Sequence, residues 1–272
     1  MPRRSKSKKK SSRKRSKTPT SRKKKSTANA REINHAVTFD GVKFDYETLP
    51  DMVDIYLHPS KWNLGVVLTF LSVALTTYCV FYTPPKYTIG LCIFWRLMYD
   101  VGLGLIMYFQ SNYESLTRFV RHHLEKNTMF GSFVRSSVRK ATGDSKEYPA
   151  DFQAWVIFRI IVNLVLPNDV FAFCAATVRF GLWSEIESDA LNVDIYMAYA
   201  LGLVLVSLAL ISKKKSHDVI GAYAWFWGDH FILLDRDLKF DGIFEMCPHP
   251  MYSVGYAWYV PNYSLSLYSP TL

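Results

Sequence analysis

The chain has 272 residues, 49% of them hydrophobic and 15% aromatic, and a formal net charge of +10. Residues 1–31 hold 15 Lys/Arg and no Asp or Glu, so the remainder sets 18 basic residues against 23 acidic ones, a net charge of −5, and the basicity belongs to a tail. Cys79, Cys92, Cys174 and Cys247 form no CxxC pair and the seven histidines show no metal-type spacing, which excludes a disulfide scaffold and a zinc module and leaves the cysteines as reduced packing residues.

Residues 1–36 contain nothing able to seed a core and are expected to be disordered. Three readings of this polybasic tail stay open: adsorption to anionic lipid, nucleic-acid binding, and a solvated topology signal. No aromatics are interleaved for base stacking, so no nucleic-acid partner is expected. The basic start runs into Ser, Thr and Pro and not into an apolar core, so the first span is expected to act as an uncleaved signal anchor.

Residues 37–217 read as a membrane region. A bilayer core of about 30 Å needs about 20 mostly apolar helical residues. Four stretches qualify: 62–82, 87–109, 152–180 and 192–211. The fold class expected is therefore an all-α polytopic membrane protein with about four to five transmembrane helices. Loop 111–151 and the run Lys213–Lys215 are basic, whereas 84–86 and 181–191 are nearly neutral or acidic. The positive-inside rule then places the N-terminus and both basic loops in the cytosol.

Charged residues inside spans are costly and mark function or packing. Arg96 and Asp100 are four residues apart and could pair along one helix, while Arg159 and Asp169 look for partners on neighbours. Gly102 and Gly104 lack the rest of a dinucleotide fingerprint and read as sites of close helix packing.

Residues 218–259 differ from everything upstream. Tyr223, Trp225, Phe226, Trp227 and Phe231 suit a head-group interface, and Asp229, His230, Asp235, Arg236, Asp237 and Asp241 are set among them. Phe240-Asp-Gly-Ile-Phe-Glu245 precedes Pro248-His-Pro-Met-Tyr-Ser-Val-Gly255. Two prolines fix the backbone around His249, which reads either as a rigid turn or as a preorganised ligand site.

These two blocks resemble the signature of the phospholipid methyltransferase family, specifically the two-repeat phosphatidylethanolamine N-methyltransferases of fungi. Asp40-Gly41 and Asp51-Met-Val resemble that family's approach to its first span, so the likeness covers roughly residues 37–259. The resemblance implies an endoplasmic reticulum membrane enzyme that methylates phosphatidylethanolamine with S-adenosyl-L-methionine. It implies that His249, Pro250, Tyr252 and Gly255 line the methyl-donor pocket, and that Gly242 and Glu245 shape its approach. Glu245 or Asp229 would bind the head-group ammonium or take its proton.

Residues 260–272 depart from the family pattern. Pro261 and Pro270 interrupt what should be an apolar span, and thirteen residues cannot cross a bilayer. The chain is accordingly expected to be a fragment, inactive alone. Two rival readings are a sterol reductase-like membrane enzyme, disfavoured by the Met251–Tyr256 continuation, and a non-enzymatic polybasic membrane scaffold.

Overall fold

A computed structural model describes residues 33–183 and 193–234. The first described element is a strand, β1 (Ile33–Thr38), which overlaps the last four residues of the stretch assigned to the tail. It pairs antiparallel with β2 (Lys43–Glu47) on one side and β3 (Ile232–Leu234) on the other, giving the order β2-β1-β3. Asp40-Gly41 closes the β1–β2 hairpin: Gly41 N donates to Thr38 O at 2.9 Å, and Gly41 takes φ +83° as the left-handed residue of a three-residue loop. This small sheet is an addition to the expected all-α architecture. Its strands are short, and only alternate residues such as Ala36, Phe44 and Tyr46 are buried.

The helices follow in order: α1 (Met52–Leu57), α2 (Leu64–Tyr82), α3 (Pro85–Leu97), α4 (Leu103–Tyr113), α5 (Ser115–Glu125), α6 (Met129–Thr142), α7 (Ala150–Thr177) and α8 (Val193–Trp225). A π turn at Met98–Gly102 joins α3 and α4 into one 29-residue rod, Pro85–Tyr113. This rod, α2 and the Ala150–Phe180 segment are each long and apolar enough to cross a membrane. The fourth expected span falls on α8, which covers 193–225 and is bent by Gly221 at φ 73°, ψ 172°.

The apolar surface is distributed as a membrane protein requires. Leu64, Leu68, Leu71 and Leu75 form an exposed stripe along α2, and Ile89, Ile93, Leu97 and Val101 do the same along the rod. A spacing of three and four keeps each set on one helical face, where lipid replaces a protein core.

The long 152–180 stretch divides into two parts. Phe152, Trp155 and Phe158 are fully or almost fully buried in a cap built from the sheet, α5 and α6. Phe152 lies 4.9 Å from the Tyr46 ring and stacks on Tyr148 at 4.6 Å. Where α2 begins, it meets α7 at Ile160: a Cβ on Gly65 would lie 2.5 Å from Ile160 Cγ2. Ten residues of helix separate Ala150 from that point, about 15 Å at 1.5 Å per residue. The first turns of α7 therefore belong to the cap, and its later turns run beside α2.

Pro167 within α7 removes the N–H that would bond the carbonyl four residues earlier. That carbonyl is Asn163 O, and the Tyr56 hydroxyl of α1 donates to it at 3.2 Å. One turn further on, Asn168 bonds Ser72 at 2.7 Å and Thr76 at 2.7 Å on α2. At the far end of α2, Arg179 donates to Val80 O, to Thr83 O at 2.6 Å and to Thr88 Oγ1 at 3.0 Å. The guanidinium supplies donors to carbonyls that the end of α2 leaves without an intrahelical partner.

Two expectations change. Arg96 bridges to Asp169 of α7 at 3.1 Å and not to Asp100 on its own helix, because the π turn between them alters the spacing of the face. Gly104 has open space around its Cβ position and the nearest atoms to Gly102 belong to Met98 and Leu97 of its own rod, so neither supports helix packing among the described residues.

Candidate functional site at the boundary between cap and membrane

The segment 218–234 is clamped onto the cap. Gly221 and Trp227, both at positive φ, reverse the chain on either side of Ala222–Phe226. Gly228 packs under the Tyr223 ring so closely that a Cβ would lie 2.3 Å from Cδ2. Trp155 Nε1 donates to Phe226 O at 3.2 Å, and the Tyr223 hydroxyl donates to Ile232 O at 2.7 Å. Burial, with the Asp229 charge adding to it, pushes the Tyr223 hydroxyl up to about 12, so it stays a donor.

Phe226 and Phe231 are wholly buried, not spread along a lipid interface, because the reversal turns them against Phe158 and Trp155. Trp227 alone of the five expected interfacial rings is exposed. Gln110, buried at the end of α4, accepts from the backbone N–H groups of Leu116 and Thr117 at 3.1 and 3.2 Å. Its amide nitrogen donates to Thr117 Oγ1 at 2.9 Å and His230 O at 3.3 Å. Ser111 and His230 are paired beside it.

Asp229 sits exposed on the 3₁₀ turn Gly228–His230 held by these bonds. The remaining expected site residues, Gly242, Glu245, His249, Pro250, Tyr252 and Gly255, lie outside the described residues.

A second group gathers where α8 meets α1. Asp51 caps α1, accepting from Asp54 N at 2.6 Å through one oxygen and from Lys214 Nζ at 2.8 Å through the other. Lys214 also meets Asp218 at 2.7 Å, with His217 alongside. Burial pushes the Asp51 carboxyl up, but the Lys214 hydrogen bond, the Asp54 amide and the nearby positive charges outweigh it and hold it below the usual range. The bonds to Asp218 and Asp51 raise Lys214 in turn. Asp51, His217 and Asp218 approach one another closely enough to hold a cation, but the ammonium already lies between the two carboxylates.

The surroundings of Arg159 come from distant parts of the chain. Its guanidinium donates to Pro50 O at 2.9 Å and lies 5.4 Å from the Trp155 ring and 4.9 Å from the Phe226 ring. The charge inside an apolar run was the signal; the partners come from residues 50 and 226.

Residues 197–270 match the family model described as phospholipid methyltransferase. By sequence the chain is related to the phospholipid methyltransferases. It is 32% identical over 241 residues to a Fusarium vanettenii protein named phosphatidylethanolamine N-methyltransferase, covering 82% of this chain and 24% of that relative. Proteins of the same name from Kluyveromyces lactis and Lachancea thermotolerans are 33% and 36% identical, over 87% and 68% of this chain and 30% and 22% of theirs. The chain thus spans about a quarter of the length of the curated relatives it matches. No solved structure matches. The methyltransferase match takes in every expected site residue from Asp229 to Gly255.

Proposed function

We propose that this chain forms part of an S-adenosyl-L-methionine-dependent enzyme that N-methylates phosphatidylethanolamine in the endoplasmic reticulum membrane. The observation that carries the reading is the phospholipid methyltransferase match over residues 197–270, which contains the proline-flanked His249. Similarity to proteins named phosphatidylethanolamine N-methyltransferase over more than four-fifths of the chain supports the substrate.

In this reading His249, Pro250, Tyr252 and Gly255 hold the soluble methyl donor, and Gly242 and Glu245 border its approach. The donor supplies an electrophilic methyl on a sulfonium. The task left to the protein is to hold a neutral amine in line with it and accept the amine proton, for which Glu245 and Asp229 are the proposed carboxylates. The exposed position of Asp229 on a turn tied by His230 to Gln110 and Ser111, near the end of the Pro85–Tyr113 rod, supports its meeting a lipid head group. The proposed topology puts the N-terminus and basic loops in the cytosol, where the donor is dissolved and the basic tail faces anionic lipid.

The test is methyl transfer from radiolabelled donor to phosphatidylethanolamine in microsomes lacking their own activity. The chain is expressed there alone and joined to the portion of a relative that it does not span. His249→Ala should abolish labelled donor binding and lipid methylation in the active form; unchanged donor binding would refute the role of His249.

A further inference from the structure

The Pro85–Tyr113 rod is the least covered of the three apolar segments, with only Thr88, Leu103 and Gln110 buried along it. Its outer face carries Ile93, Leu97, Val101, Leu105 and Tyr108, each at least half exposed. Asp100 and Gly104 are exposed on the same face. Lipid suits the aliphatic members of this surface and not the carboxylate.

The depth of Asp100 follows from a contact between helices. Trp95 Nε1 donates to Thr76 Oγ1 at 3.2 Å, which sets the two residues side by side. Thr76 lies twelve residues after Leu64, about 18 Å from the start of α2 at 1.5 Å per residue. The rod begins at Pro85, just beyond the end of α2, and runs back the other way. Asp100, five residues past Trp95, therefore lies about 8 Å nearer that start, or about 10 Å inside the apolar layer. A carboxylate on one methylene cannot snorkel that far, as Lys and Arg do.

The cations nearby are turned inward. Arg96 bridges to Asp169 of α7 at 3.1 Å, and Lys213 of α8 neighbours the same carboxylate. The Asp100 side chain makes no hydrogen bond or ion pair among the described residues. An ionised group at this depth is costly until an opposite charge or a donor meets it. One turn further along, nothing lies within 4 Å of the Cβ position of Gly104, so a second backbone can come close beside the charge.

We propose that the face of the rod from Ile93 to Tyr108 docks a transmembrane helix that carries a Lys or Arg at the depth of Asp100. Charge complementarity selects this occupant over a second copy of the chain, whose rod would bring another Asp100 to the same depth while its Arg96 is held by Asp169. The chain spans about a quarter of its curated relatives, which leaves most of their length to supply such a helix. The inference uses none of the methyl-donor residues and stands apart from the methyl-transfer reading.

The experiment places the full chain, with a donor fluorophore at its N-terminus, in phosphatidylcholine vesicles with acceptor-labelled synthetic Leu/Ala helices of about 22 residues. One peptide has Lys at its centre, one has Lys only at its ends, and energy transfer is followed against peptide mole fraction. The central-Lys peptide should reach half-maximal transfer at a mole fraction at least tenfold lower than the end-Lys peptide. Asp100→Leu should abolish that difference without lowering the unfolding temperature, and Gly104→Leu, which keeps the charge but blocks close approach, should reduce it at least threefold. If Asp100→Leu does not fold, Asp100→Asn, which removes the charge at nearly the same volume, is read in its place. Equal transfer to both peptides, or a difference that survives loss of the Asp100 charge, would overturn the proposal. Transfer between donor- and acceptor-labelled copies of the chain that needs no peptide and disappears in Asp100→Leu would assign the face to a second copy and overturn it as well.

Discussion

Gly131 of α6 lies directly against the backbone of α5, and its substitution tests how rigidly the cap is built. A Cβ there would lie 2.4 Å from the His123 carbonyl oxygen and 3.0 Å from its carbon. That is about 1 Å short of ordinary van der Waals contact. The obstacle is backbone, and the same carbonyl accepts from Thr128 N at 3.2 Å, so it cannot swing aside. Gly131 N in turn donates to the capping Thr128 hydroxyl at 3.1 Å, which ties the glycine to the start of α6. Forcing a methyl into a packed site costs about 1–3 kcal/mol. Alanine recovers at most about 1 kcal/mol over glycine in a helix. Gly131→Ala should therefore destabilise by about 2 kcal/mol, near the upper end because backbone must move. Thermal unfolding in detergent, followed by tryptophan fluorescence, reads the effect. Gly104→Ala is the control, since nothing lies within 4 Å of its Cβ position, and it should leave stability unchanged or slightly raised. Equal stability of Gly131→Ala and wild type, or an equal loss in the control, would refute the reasoning.

Two further perturbations probe the boundary. Tyr56→Phe removes the donor that completes α7 at Pro167, leaving Asn163 O unpaired, and should cost about 1–2 kcal/mol in the same unfolding assay. A loss no greater than that of an exposed control such as Tyr113→Phe would show that the carbonyl has another partner. His217 supplies a pH dependence. Burial lowers its folded pKa below the usual 6.5; Lys214 and Arg159 act in the same direction, and Asp51 and Asp218 oppose them. The unfolded chain then binds the proton at a higher pH than the folded chain, so stability is complete above 6.5 and falls as pH drops below it. His217→Asn should flatten this acid-side fall between wild-type samples unfolded at neutral and at mildly acidic pH. Parallel slopes in the two proteins would exclude His217 as the titrating group.

What the sequence determined by itself was local or compositional. A run of 20 apolar residues declares its own helix and its own solvent, because backbone bonds close within the run and lipid accepts its side chains. Leu64–Tyr82 could be read that way, and so could the charge segregation that leaves the tail basic. The His249 motif was equally legible, because its prolines and its likeness to a family are matters of neighbouring residues.

Tertiary structure decided what depends on residues far apart. The sheet needs Ala36 opposite Phe44 on one side and Leu234 on the other, and strands of six, five and three residues carry too weak an alternation to announce a partner about 200 positions away. The 152–180 stretch looked like a single long span; only contact with Tyr46 and Val134 shows that its first turns serve a cap and its later turns a membrane. Arg159 could be seen as an anomaly within that stretch. That its charge meets Pro50, two aromatic rings and the first turn of α2 follows from packing, because a buried ion is defined by its surroundings, and those come from four separate parts of the chain.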